Sequence, residues 1–124
     1  MPTATKLTLA KHRKNLDALR AATESRIAIL QRGYDELIEA GDDVGAGEDE
    51  GGSEADGSFV ERDRLRAHIV EERSTLEAIE AAVARTKSRT WQQCRSCGES
   101  IGAERLDALP TAEMCVTCKA RQSW

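Results

Sequence analysis

Four cysteines near the C-terminus have the spacing of a metal site. Two residues separate the cysteines within each pair, and seventeen residues separate the pairs, which are Cys94 with Cys97 and Cys115 with Cys118. This arrangement can place four thiolates tetrahedrally around one Zn2+ ion. Four protein ligands leave no open position for a catalytic water. The predicted zinc therefore has a structural role, and it supplies folding free energy to a segment too small to fold alone.

A redox-active dithiol is the competing interpretation, because a C-x-x-C pair can lower a thiol pKa and cycle to a disulfide. Two matched pairs with no β-α-β pattern around either of them favour zinc. In a reducing cytosol, paired cysteines are more often metal ligands or redox centres than disulfides. His12 and His68 fall in predicted helices, and we expect both to face solvent rather than to bind the metal.

Two long helices are predicted upstream of the cysteines, over residues 8–40 and 59–90. Both segments are rich in strong helix formers and contain no proline. Apolar residues recur in both at the seven-residue spacing of a coiled coil. The first stripe consists of Leu9, Leu16, Leu30 and Leu37, with Thr23 in the fifth place, and is widened by Leu19, Ile27, Tyr34 and Ile38. The second consists of Ile69, Leu76, Val83 and Thr90, beside a series of Leu65, Ile79 and Thr86 that Glu72 interrupts.

The two helices are nearly equal in length, each roughly 50 Å at 1.5 Å per residue, which favours an antiparallel hairpin. In a hairpin each stripe buries the other, and the protein is a monomer. The alternative is a dimer of two chains, which the heptads alone do not exclude. Ser58 and Glu61 match a capping box, so we expect the second helix to begin near Phe59.

The connector over residues 41–58 carries all the net negative charge of the chain. It contains six glycines, seven acids and no basic residue. Basic and acidic residues nearly balance elsewhere, with seven against five in residues 1–40, seven against six in 59–90 and four against four in 91–124. Without a basic excess, sequence-specific DNA binding is not expected. The connector is either a solvated linker or a flexible tip that presents carboxylates to a partner.

Composition sets the broad class. The chain has two Trp, one Tyr and one Phe, and 32% of its residues are charged, which suits exposed helices better than an enclosed active site. No segment has the length of a membrane span or the form of a signal peptide. We expect a mainly α, cytoplasmic protein that is not an enzyme and not membrane-bound. Residues 1–90 form a long antiparallel helical hairpin with a flexible acidic tip at 41–58, and residues 91–124 form a small four-cysteine, zinc-ribbon-like module.

The C-terminal segment resembles the zinc-finger signature of the DksA/TraR family. It reads Cys94-x-x-Cys97-Gly98-x-x-Ile101-x-x-x-Arg105-Leu106-x-Ala108-x-Pro110-x-x-x-x-Cys115-x-x-Cys118. A helical hairpin with an acidic tip is similar to the layout of that family as well. The resemblance implies a transcription regulator that binds bacterial RNA polymerase, inserts its coiled coil into the secondary channel and modulates promoter complexes and initiation.

Further site residues follow from the resemblance. Asp42 and Asp43 are the tip acids directed at the polymerase active site, although the D-x-x-D-x-A pattern of proteobacterial members is absent. Arg105, Lys119 and Arg121 are candidate contacts to the polymerase rim or to an anion, and for Arg105 we favour a role in supporting the fold. Some members act with the alarmone ppGpp. Because the chain ends six residues after Cys118, without the long C-terminal helix of other members, we do not expect this dependence here.

Two functions therefore remain open at this point. The first is the polymerase-binding regulator that the resemblance implies. The second is an adaptor whose coiled coil and zinc ribbon mediate protein–protein interaction or dimerisation. In either case we expect Trp91, three residues before Cys94, to pack the second helix onto the zinc module.

Overall fold

A computed structural model of the chain describes the backbone of residues 7–45 and 52–122, and the side chains of residues 7–40 and 59–122. These ranges contain four helices, which are α1 (Leu9–Gly45), α2 (Gly52–Arg85), α3 (Ala103–Ala108) and α4 (Val116–Gln122). An isolated antiparallel bridge joins Gln93 to Ser100. The mainly α fold predicted from the sequence is confirmed. Within the described ranges, none of the helices is both long enough and apolar enough to cross a bilayer.

Both long helices extend into the segment that the sequence predicted to be a loop. Helix α1 continues to Gly45, and α2 begins at Gly52 rather than near Phe59. The capping prediction was therefore wrong, since Ser58 lies inside α2. Adding a residue to an existing helix is far less costly than nucleating one, so a helix stabilised by packing can continue through weak helix formers. Residues 46–51, the middle of the predicted tip, lie outside the described residues.

The chain forms two compact units, and each contains part of both long helices. One comprises Met1–Ala21 with Leu76–Trp124, and the other comprises Ala22–Thr75. The division of the chain after residue 90 stays a prediction.

In the unit formed by Ala22–Thr75, the two helix segments pack antiparallel. Arg26 Nε lies 3.1 Å from Glu72 Oε1, whereas Gly33, further along α1, faces Leu65, which is earlier in α2. Sequence numbers thus rise in one helix as they fall in the other. Ile69 is buried here, as the heptad pattern predicts.

The helix segments of the other unit pack in the same sense, since Arg13 donates a hydrogen bond to Thr86 and Arg20 pairs with Glu80. Leu16, Ile79 and Ala82 form a buried apolar cluster, against which Leu19 and Val83 pack. Four residues of this group belong to the predicted apolar stripes, namely Leu16, Leu19, Ile79 and Val83. Thr90, which the sequence assigned to the stripe, lies beyond the end of α2 and is exposed.

A second apolar cluster of this same unit surrounds the cysteines. Its buried members are Leu7, Cys94, Ile101, Leu106, Ala112 and Cys118, and its partly buried members are Trp91, Ala103, Met114 and Cys115. Segments this short contain too few apolar residues to form a core alone. Leu7, from the residues just before α1, completes this core.

Candidate zinc centre

The first cysteine pair lies in a tight turn closed by backbone hydrogen bonds. The Cys94 N–H donates to the Glu99 carbonyl at 2.7 Å, and the Gly98 N–H donates to the Cys94 carbonyl at 2.9 Å. Gly98 has a φ of +80°, in the left-handed region that glycine occupies without strain. Since an added Cβ would meet no atom within 4 Å, this need for glycine is conformational rather than steric. The conformation of Gly98 thus allows the tight turn that holds the first pair.

The second pair spans the start of α4. Cys118 lies in the first turn of this helix, and its backbone N–H donates to Cys115 Sγ at 3.4 Å. An equivalent bond in the first pair runs from the Ser96 N–H to Cys94 Sγ at 3.3 Å. Each pair therefore contains a sulfur that accepts a backbone hydrogen bond.

The four sulfur atoms lie together, all within 4.8 Å of one another. The distance between Cys97 Sγ and Cys115 Sγ is 3.8 Å. Zinc–sulfur bonds of about 2.3 Å in a tetrahedron put neighbouring sulfurs about 3.8 Å apart. Across residues 7–40 and 59–122 this is the one group of three or more His, Cys, Asp or Glu side chains suited to holding a metal ion.

The pKa values of the Cys94 and Cys118 thiols are shifted in opposite directions. Desolvation raises the pKa of the Cys94 thiol, but backbone N–H groups of Cys115, Cys97 and Ser96 outweigh it and lower the pKa to about 6. Hydrogen bonding with the Cys115 thiol is the largest cause that raises the pKa of Cys118, to about 12. A zinc ion binds thiolates and displaces such protons. The geometry and the donor set both fit one zinc ion.

His12 contradicts the prediction that it faces solvent. Only 2% of its surface is exposed, and its ring stacks on that of Trp91 with 4.7 Å between the centroids. The physical reason is its position on the same helical face as Leu9 and Leu16, three residues after one and four before the other. Trp91 packs on the core around the cysteines, and its ring contacts α1 through His12. His68 is exposed, as expected.

Arg105 supports the second cysteine pair from α3. Its Nε donates to the carbonyl of Met114, the residue before Cys115, at 3.0 Å. This contact matches the supporting role favoured for Arg105 from the sequence. Lys119 and Arg121 are exposed in the last turn of α4, where positive charge complements the helix dipole. Rim or anion contacts of these three residues stay predictions.

Asp42 and Asp43 are the predicted tip acids. The backbone of Asp42 and Asp43 belongs to the end of α1. Their side chains lie outside the described residues. Their role at a polymerase active site stays a prediction.

One group of charged residues was missed by the sequence reasoning. Glu113 forms ion pairs with Arg85, at the end of α2, and with Arg95, inside the first cysteine pair. Arg85 and Glu113 are 28 positions apart. No local pattern connects them, so periodicity and motif spacing could not have found the contact.

Comparison with known proteins identifies the finger. Residues 87–123 match the family described as prokaryotic dksA/traR C4-type zinc finger. The RNA polymerase-binding transcription factor DksA of Haemophilus influenzae is 42% identical over 48 residues, which cover 39% of this chain and 33% of that protein. The protein of the same name from Salmonella typhimurium is 40% identical over 48 residues, covering 39% and 32%. The chain thus spans about a third of the length of these curated relatives.

A solved structure extends the likeness from the finger to the fold. Transcription factor DksA2 from Pseudomonas aeruginosa superposes with a TM-score of 0.79 at 24% sequence identity. The superposition covers 93% of this chain and 82% of that one. At this identity the likeness concerns the fold alone. Four cysteines that are positioned to hold one metal ion, within a C4-type zinc finger, take zinc as that ion. Residues 87–123 thus form a zinc finger of the DksA/TraR C4 type.

Proposed function

We propose that this protein is a transcription regulator that binds bacterial RNA polymerase. The observation that carries the proposal is a DksA/TraR finger joined to two long helices that pack antiparallel. The relatives that share the finger are named as RNA polymerase-binding transcription factors. A partner of this kind lies in the cytoplasm.

The proposed mechanism uses the paired helices as a probe. Helix α1 has 37 residues, which correspond to roughly 55 Å of helix. In the proposal, the coiled coil enters the secondary channel of the polymerase and brings Asp42 and Asp43 toward the catalytic region. Carboxylates there would alter the charge around the catalytic metal and so change promoter complexes and initiation.

The zinc has a structural role in this proposal, with Cys94, Cys97, Cys115 and Cys118 as its ligands. Zinc binding to four thiolates would hold the two turns together, and it leaves no coordination position for substrate or water. The regulator therefore acts by binding and not as an enzyme.

The adaptor alternative requires the apolar stripes to pair with a second chain. Leu16 and Ile79 are fully buried against each other's helices within one chain. A dimer through these stripes would first have to separate α1 from α2. The regulator is therefore the function that we propose.

The test is a photo-crosslink from the end of α1. A photoreactive amino acid replaces Val44, the protein is mixed with RNA polymerase, and the adduct is mapped by mass spectrometry. We expect crosslinks to the largest subunits near the active centre. The same amino acid at Val116, exposed on α4, is the control and should give a different set of peptides. Binding without any Val44 adduct near the active centre would reject channel entry.

A further inference from the structure

Glu113 connects the end of α2 to both cysteine pairs. Its Oε2 accepts a hydrogen bond from Arg85 Nη1 at 3.3 Å, and its Oε1 lies 3.0 Å from Arg95 Nε. Arg95 directly follows Cys94, and Glu113 is two residues before Cys115. One carboxylate therefore contacts the last residue of a long helix and a residue inside the first pair, from a position next to the second pair.

The Arg85 guanidinium makes further contacts with this same short segment. Besides Glu113, its Nη2 donates to the carbonyls of Thr111 and Ala112, each at 3.4 Å. About 30% of the Arg85 side chain is exposed. The end of α2 is thus fixed to residues 111–113 by three hydrogen bonds from one side chain.

A backbone contact accompanies the side-chain ion pairs. The Arg95 N–H donates to the Glu113 carbonyl at 2.9 Å. This bond does not depend on the Glu113 carboxylate. A substitution at position 113 can therefore remove the ion pairs while the two cysteine pairs remain joined through the backbone.

We propose that Glu113 is a positioning residue that couples zinc binding to the attachment of helix α2. Its carboxylate holds the two cysteine pairs near their bound arrangement through Arg95, which lowers the ordering that zinc must impose. The same carboxylate also holds Arg85 at the end of α2. Because coupling between two sites is reciprocal, loss of the Arg85 contact weakens zinc binding although Arg85 is nine residues from the nearest cysteine. This inference concerns the metal centre and does not depend on the proposed binding to polymerase.

The test measures the zinc affinity of the full chain by competition with a chromophoric chelator. Glu113 and Arg95 are part-exposed, so the ion pairs are individually modest. We expect Glu113→Ala and Arg85→Ala each to weaken zinc binding by roughly three- to tenfold. If the two residues act as a pair, the double variant weakens binding by less than the product of the single effects. Unchanged affinity in Glu113→Ala, or effects that multiply in the double variant, would overturn the proposal.

Two further measurements separate positioning from folding. Cobalt bound to four thiolates has characteristic absorption bands, and at saturating Co2+ these bands should be the same in Glu113→Ala as in the parent chain. Their loss would mean that the carboxylate is needed to fold the module, which also overturns the proposal. Glu113→Gln keeps a hydrogen-bond acceptor and should recover part of the affinity. The control is Glu104→Ala, which removes an exposed acid of α3 that makes none of these contacts and should leave the affinity unchanged.

Discussion

His12 is a polar side chain buried on the apolar face of α1. Its Nδ1 is enclosed and has no hydrogen-bond partner among the residues that the structure describes. Burial is the main cause that lowers the pKa of His12 below 6.5, and the positive charge of Arg85 lowers it further. The folded state therefore disfavours the charged imidazolium. The unfolded chain, in which this histidine is solvated, does not.

The lowered pKa of His12 predicts a loss of stability in mild acid. Well above pH 6.5 His12 is neutral in both states, and its contribution to stability is fully present. As the pH falls below that value, the unfolded state takes up a proton that the folded state does not, so the free energy of unfolding falls. His12→Phe keeps a ring against Trp91 but has no titrating group. Its thermal midpoint should fall less than that of the parent between about pH 7.5 and about pH 5.5.

The measurement is thermal unfolding followed by circular dichroism, with zinc in excess at every pH. Zinc release in acid affects parent and variant alike. The quantity of interest is therefore the difference between parent and variant in how steeply the thermal midpoint falls with decreasing pH. His68→Phe, at an exposed position of α2, is the matched control. An equal fall of the thermal midpoint with pH in the parent and in His12→Phe would show that His12 does not cause the loss of stability in acid.

Single residues differ in how far the sequence alone identifies them. The four cysteines and Gly98 are recognisable because zinc and a tight turn impose local spacing. His12 could have been recognised, since it occupies a stripe position between Leu9 and Leu16, but its polar type suggested solvent. Glu113 could not, because only the folded chain brings Arg85 and Arg95 to it.

At the level of elements, the seam between α1 and α2 contains a polar layer. Thr23 is fully buried, and its hydroxyl accepts a hydrogen bond from Arg26 Nη2 at 3.1 Å. Arg26 also pairs with Glu72, which interrupts the second stripe. Polar groups at seam positions specify register and partner choice at some cost in stability. Glu72 thus interrupts the heptad pattern of α2, and Arg26 of α1 pairs with its carboxylate.

Substitution of Arg26 and Glu72 by apolar residues would remove this polar layer. Arg26→Leu with Glu72→Leu replaces a part-exposed ion pair by apolar side chains, which should leave the free energy of unfolding equal or raise it by about 1 kcal/mol at most. The seam would then be a more uniform apolar surface, and self-association should increase. Denaturant unfolding and sedimentation velocity measure the two effects. Glu72→Leu alone should destabilise the chain, since Arg26 loses its carboxylate, and a strictly monomeric, less stable double variant would contradict the prediction.

The elements show where sequence periodicity is informative and where it is not. Periodicity located both long helices, because burial of an apolar stripe decides their existence. It did not locate their ends. The Gly-rich composition after residue 40 suggested a loop, but α1 continues to Gly45 and α2 begins at Gly52, since extension of a helix has a small cost compared with its nucleation.

For the whole molecule, the functional prediction concerns the acids near the end of α1. If the chain is a polymerase regulator, Asp42→Ala with Asp43→Ala should leave binding to polymerase roughly intact and abolish its effect on transcription. The reason is that two carboxylates contribute little contact area but carry the charge proposed to act at the catalytic region. Polymerase binding assays and in vitro transcription from several promoters measure the two properties.

A matched variant separates this effect from a general loss of charge. Glu36→Ala with Glu39→Ala removes two exposed acids from the same helix and should preserve the transcriptional effect. Normal regulation by the Asp42 and Asp43 variant would remove these residues from the mechanism. Equal loss in both variants would indicate that overall helix charge, rather than the tip, matters.

Likeness of fold to known proteins extends further along the chain than likeness of sequence. Sequence identity to curated relatives covers 39% of the chain, while likeness of fold to DksA2 covers 93%. A paired helix requires only the right residue class every three or four positions, which many sequences satisfy. A four-cysteine finger requires particular residues at particular places. The finger is therefore the part that similarity of sequence detects.

The position of Leu7 also bears on how this protein can be recombined with others. Leu7 is buried in the cluster that contains Cys94 and Cys118, although it is separated from them by both long helices in the sequence. A chimera that transplants residues 91–122 onto a foreign helical pair would leave a cavity where Leu7 packs and expose the Trp91 ring that His12 covers. The finger is consequently not an independent module. A chimera between relatives has to exchange Leu7 and the start of α1, with His12, together with the finger.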